Sequence, residues 1–146
     1  MAPTARPRNI FGAHLTLQVV DTETLLYDER SHRAWCLNPS SACIWRLCDG
    51  RSTIGQIAAR ASVELGSPVS DDLVLLTLTN LQEQDLLEPG SFTPLPDGLT
   101  RRQMMGRVGL AAAALLPVIA AITALPPSAA ASIGGVDDAV KNNTAR

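Results

Sequence analysis

Three cysteines, two histidines and one acidic pair are the residues of this 146-residue chain best able to do chemistry. A structural zinc site needs four Cys or His ligands at short paired spacings. Cys36, Cys43 and Cys48 do not make that pattern: Cys43 and Cys48 on one helix would point about 140° apart. An odd cysteine count leaves at least one thiol unpaired and argues against a disulfide scaffold. The three read best as small buried apolar residues in a reducing compartment. His14 and His32 read as surface residues. Asp71-Asp72 follow Ser70, where helix capping explains the carboxylates more simply than acid/base work. No Ser/His/Asp arrangement, phosphate loop or glycine-rich dinucleotide turn is present. The expectation is a non-catalytic protein with no cofactor and no metal.

The composition averages two unlike parts. Residues 1–100 carry seven Arg against twelve Asp and Glu, a net of −5. The last 46 residues carry five Lys and Arg against two Asp, a net of +3, and hold two alanine runs, 111–114 and 129–131. The overall charge of −2 excludes a polycation built for nucleic acid. The 46% apolar content excludes a wholly disordered chain.

Residues 1–12 have two prolines and no periodicity, and read as a mobile arm. No apolar stretch follows the early arginines, so this is not a secretory signal, and the amino end is expected in the cytosol. Leu15, Leu17 and Val19 then alternate with more polar residues, the period of a half-buried strand. Residues 24–27 and 33–37 are two further strands, joined by polar turns at 21–23 and 28–31. Asn38-Pro39-Ser40 starts a helix that carries Ala42, Ile44, Trp45, Leu47 and Cys48 and stops at Gly50. Ser52 or Thr53 caps a second helix, whose Ile54, Ile57, Ala58, Ala61 and Leu65 share one face. Gly66-Ser67-Pro68 ends it.

Ser70 caps a third helix with a core stripe of Val74, Leu78 and Leu81. Leu73 and Leu76 lie off that stripe, which allows a helix buried on two sides or a second apolar face lining a groove. Three strands followed by three helices predict an α+β fold, winged-helix-like, with a three-stranded antiparallel sheet. The third helix carries acidic residues and no Lys or Arg. Phosphate binding needs the opposite sign, so no nucleic-acid partner is expected.

The stretch Leu37-Asn38-Pro39-Ser40-Ser41-Ala42, then Ile44-Trp45-Arg46-Leu47-Cys48-Asp49-Gly50, Thr53-Ile54, Gln56-Ile57-Ala58 and Leu81 to Leu87 resembles the PqqD family. The resemblance covers residues 13–88. Asp85 stands where that family often has Gly, a change that costs little if the backbone there stays helical. The resemblance implies a recognition element for the leader of a ribosomally made precursor peptide, which hands it to a peptide-modifying enzyme. It implies that the leader adds as a strand to the third strand, beside the third helix. On this chain the implied peptide-binding residues are His32, Arg33, Ala34, Trp35 and Cys36, faced by Leu73, Leu76 and Asn80.

Residues 89–100 form a Pro/Gly linker. Beyond it, residues 108–125 are 18 positions without a charge, close to the length of a spanning helix. Apolar residues occupy all its faces, unlike a buried amphipathic helix. Residues 101–126 are therefore expected as a C-terminal membrane helix, a single-pass anchor with lipid as partner, followed by a flexible tail over 127–146. Arg101, Arg102 and Arg107 would orient it, placing the amino domain on the cytoplasmic face of a bacterial inner membrane. Arg101-Arg102, the apolar stretch and Ala129-Ala130-Ala131-Ser132 also resemble a twin-arginine export signal. Two rival functions are a membrane-tethered winged-helix regulator of transcription and a structural subunit of a membrane complex.

Overall fold

The computed structural model describes residues 5–93, 101–108 and 114–123. The chain forms β1 (Leu15–Val20), β2 (Glu23–Asp28), β3 (Arg33–Leu37), α1 (Pro39–Leu47), α2 (Ile54–Leu65), α3 (Asp71–Glu83), α4 (Arg101–Val108) and β4 (Ile119–Thr123). The four strands make one antiparallel sheet in the order β1-β2-β3-β4. Helices α1, α2 and α3 pack together, and α1 also meets β2 and β3. The α+β expectation holds, with a fourth strand that the sequence reading did not anticipate.

Local chemistry sets the turns. Val20 pairs with Glu23, so Asp21-Thr22 is a two-residue hairpin loop, and Asp21 takes φ +55°. Such loops need a positive φ, which Asp tolerates better than most residues. Between β2 and β3, Asp28 accepts from Arg30 N at 2.9 Å and from Ser31 Oγ at 2.8 Å.

The helix starts follow the caps. Asn38 Oδ1 accepts from Ser41 N, and Pro39 opens α1. Thr53 and Gln56 form a reciprocal capping box on α2, and Ser70 caps α3 with Asp71 and Asp72 in its first turn. Gly66 closes α2 in the left-handed conformation, φ +64°. Helix α1 ends at Leu47 rather than at Gly50. Asp49 then holds the α1–α2 connection by accepting from Ser52 N, Arg51 N and Ser52 Oγ. Those bonds, led by the Ser52 and Arg51 amides, lower its carboxyl to about 2.

The core lies between the sheet and the helices. Leu26, Trp35 and Leu37 supply its sheet side; Ile44, Trp45, Ile57, Val74, Leu78 and Leu81 supply its helix side. Of the alternating residues on β1 only Leu15 is buried, while Val19 is 64% exposed. The helical layer therefore covers β2 and β3 and peels away at β1. Cys43 and Cys48 are buried, and burial is the first cause that raises both thiols to about 12. Cys36 lies half-buried, with its thiol donating to Glu23 Oε2 at 2.6 Å.

The amino-terminal arm is pinned where it is described. Asn9 N donates to Cys48 O, Gly50 N to Pro7 O, and Asn9 Nδ2 to Trp45 O, each at 2.9 Å. The arm thereby supplies a donor to the Cys48 carbonyl just past α1 and a second donor to the Trp45 carbonyl, which also accepts from Cys48 N. The start of the expected linker is also held: Phe92 is buried in the core, and its carbonyl accepts from Gln82 Nε2. At Asp85 the backbone is not helical but left-handed, φ +60°. This conformation accounts for the glycine of the resembled family, and it costs an L-residue about 1 kcal/mol.

The expected anchor is corrected. Among the described residues no helix is long and apolar enough to cross a membrane. Helix α4 has eight residues and packs on α3, and Ile119–Thr123 is a strand on β3. Pro117 removes a helical donor, and the β-branched Val118, Ile119, Ile122 and Thr123 favour extended backbone. Arg101 and Arg102 open α4 and Arg107 lies near its end, so among the described residues none flanks a spanning helix. The inner-membrane localisation, the lipid partner and the twin-arginine reading go with the anchor. The cleavage zone at 129–132 and the tail lie outside the described residues.

Trp45 joins these parts, since its Nε1 donates to Leu86 O at 3.0 Å and Phe11 meets its ring edge-on. Replacing it by Phe removes the shorter of the two hydrogen bonds that the Leu86 carbonyl accepts, the other coming from Ile10 N at 3.3 Å, and leaves part of the buried indole volume empty. Trp45→Phe should lower the unfolding free energy by about 1–3 kcal/mol in a urea titration.

Candidate functional site

The site begins with the backbone of β3. In an antiparallel strand, successive residues turn their N–H and C=O groups to opposite neighbours. Asn38 N donates to Val118 O at 3.1 Å, so Asn38 faces β4. By that alternation Cys36 and Ala34 face β4 as well, while Leu37, Trp35 and Arg33 face β2. The outer edge of β3 is thus three backbone positions: Ala34, Cys36 and Asn38.

That edge is occupied by the chain itself. Leu37 stands opposite Ile119, Cys36 opposite Ala120, Trp35 opposite Ala121, Ala34 opposite Ile122 and Arg33 opposite Thr123. Asn38 clasps the entry to β4. Its Nδ2 donates to Leu116 O at 2.8 Å, and its Oδ1 accepts from Val118 N at 3.2 Å. The same Oδ1 caps α1. One side chain therefore starts a helix and fixes a strand 80 residues away in sequence.

The expected site residues divide. Ala34 and Cys36 lie on the edge. Trp35 is buried, with its side chain in the core and the Arg33 guanidinium 4.9 Å from its ring centroid. Arg33 also pairs with Asp85 at 3.1 Å, an exposed contact that contributes little stability. His32 precedes the strand at φ +54°, with its ring against the Tyr27 hydroxyl. Leu73 belongs to the core, whereas Leu76 is buried outside the core cluster. Helix α3 is thus buried on two sides, packing on α1 and α2 and also on α4. Asn80 stands across a cleft from the start of β4: with Glu83, Gln84, Pro117, Val118 and Ile119 it lines a space of about 340 Å³.

The sequence reading missed β4 and the second task of Asn38. The β-branched residues of 118–123 were a signal for the strand. Asn38 carried a visible cap signal and nothing for its distant partner. The described residues hold no group of three or more His, Cys, Asp or Glu that could bind a metal ion.

Fold and site define a class: an α+β domain whose β3 edge pairs with a later strand of the same chain, close to a helix. Residues 23–87 match the family model described as Coenzyme PQQ synthesis protein D (PqqD). Members of that family are non-catalytic accessory proteins in the biosynthesis of ribosomally made, modified peptides. The match runs from β2 to just past α3, so β1, α4 and β4 lie outside it. No curated protein and no solved structure matches the chain.

The double role of Asn38 can be separated by substitution. Asn38→Ala removes cap and clasp together and should cost about 1–2 kcal/mol in urea unfolding. Asn38→Asp keeps the acceptor for Ser41 N but loses the donor to Leu116. It should retain most of the stability, while amide exchange over residues 118–123 speeds up.

Proposed function

We propose that this protein is a non-catalytic adaptor that binds the leader of a ribosomally made precursor peptide and presents it to a modifying enzyme. The match over residues 23–87 supports the peptide-recognition part of this reading. The observation that carries the binding mode is the edge of β3, which takes up a strand in this fold. Strand addition draws affinity from main-chain hydrogen bonds and selectivity from the alternate side chains. Ala34, Cys36 and Asn38 supply the main-chain groups. Asn80 forms part of the wall beside the strand. Arg33 and Trp35 hold the strand in place, one stacked on the other, and do not face the peptide's backbone. Leu73 and Leu76 act through the packing of α3.

The rival of a DNA-binding regulator gains nothing from the structure. Helix α3 buries Leu73, Val74, Leu76, Thr77, Leu78 and Leu81, which leaves no broad face to enter a groove. Its first turn carries Asp71 and Asp72, which repel phosphate.

The test is a titration of the full chain with the small peptides encoded in neighbouring reading frames. One of them should bind with a Kd on the order of micromolar. Ala34→Pro removes a donor that faces the edge and spares the ladder to β2. It should weaken that binding at least tenfold and leave the unfolding midpoint of the domain nearly unchanged. Failure of every neighbouring peptide to bind would sink the proposal.

A further inference from the structure

We propose that residues 114–123 are an internal stand-in for the peptide that the β3 edge accepts, and that the two compete for it. The inference rests on the peptide-acceptor reading and adds a control on that site. Its first ground is identity of place: β4 uses the same backbone groups of Ala34, Cys36 and Asn38 that an incoming peptide needs. Its second ground is that the matched family region ends at residue 87, so the strand is an addition to the recognised domain.

The third ground is a loose fit. Ala120, Ala121 and Ile122 are exposed, while Leu115 and Ile119 pack against the core. Beside the strand the cleft against Asn80 stays open. Asn80 Oδ1 is buried and has no hydrogen-bond partner among the described residues. Main-chain bonds, the Asn38 clasp and the tether therefore hold β4, with little side-chain burial. A tethered strand meets its site at an effective concentration in the millimolar range. An untethered peptide sees only the fraction of chains whose edge is open, and its apparent affinity falls by that fraction.

The stand-in also describes its competitor. It is uncharged and aliphatic, runs antiparallel to β3, sets Ile119 opposite Leu37 and places a small residue opposite Trp35. A peptide of that chemistry with larger side chains toward the Asn80 cleft gains contacts that β4 does not make.

The probe is a fluorescent synthetic peptide of residues 114–123, titrated by anisotropy against three full-length chains. By the alternation above, Ala120 N–H faces β3 and Ala121 N–H faces away, where an edge strand tolerates proline. Ala120→Pro should bind the probe at least tenfold more tightly than the native chain, and Ala121→Pro should resemble the native chain. Ile122→Pro removes the other inward donor and should repeat the Ala120→Pro result. Unfolding midpoints of all variants check that the domain persists. Equal affinity across the set, or no binding by either inward variant, overturns the proposal. The two readings fail separately. If the inward variants bind the probe and no neighbouring-frame peptide displaces it, the stand-in holds and the adaptor reading falls. If a neighbouring-frame peptide binds native and Ala120→Pro chains alike, the adaptor reading holds and the competition is overturned.

Discussion

The outer side of β3 is the constraint that shapes the carboxyl half of the described chain. Its inner residues, Trp35 and Leu37, are fixed in the core and paired to β2. The strand therefore cannot shift register without moving Trp35 and Leu37 off the core face. Its outer N–H and C=O groups are then presented at a set height and spacing, and such groups template a further strand. An unpaired edge of this kind is a hazard in a free protein and an asset in a peptide reader. Covering it with a short alanine-rich strand of the same chain lessens the hazard and keeps the edge intact.

The two ends of the sheet differ in kind. At β1 the helical layer has peeled back, so Leu17 and Val19 face clefts against α1 rather than a closed core. At β3 the layer covers Trp35 and Leu37 fully, and α3 also packs against α4. Only the β3 end combines a rigid strand, a helix wall and an asparagine that bonds both the helix start and the incoming chain. The proposed recognition rests on that combination.

Much of the domain was legible in sequence because its signals are local. Asn38, Thr53, Ser70 and Gly66 act within a turn of their own helix, and the alternation at β1 and β3 needs no distant partner. The largest misreading involves partners far along the chain. An uncharged run looks like a spanning helix when only its composition is counted; its pairing with β3 appears only once the strand edge is in place. Leu73 and Leu76 left open a helix buried on two sides or a groove face, and α4, which packs on α3 from beyond the linker, could not be foreseen. At Asp85 the condition of helical backbone is not met: the residue is left-handed, a conformation that glycine usually announces after a helix. The arm at residues 5–12 carries no periodic pattern because it pairs singly, through Arg8 with Asp49 and through Asn9 with Leu87.

Amide hydrogen exchange along β3 is the most direct test of the central claim that one edge serves both the internal strand and a peptide. The account predicts protected amides at Ala34 and Cys36 in the native chain, fast exchange at both in Ala120→Pro, and renewed protection when a binding peptide is added. The amides of Trp35 and Leu37, which face β2, should stay protected throughout. Exchange at Ala34 and Cys36 that ignores both the substitution and the peptide would contradict it.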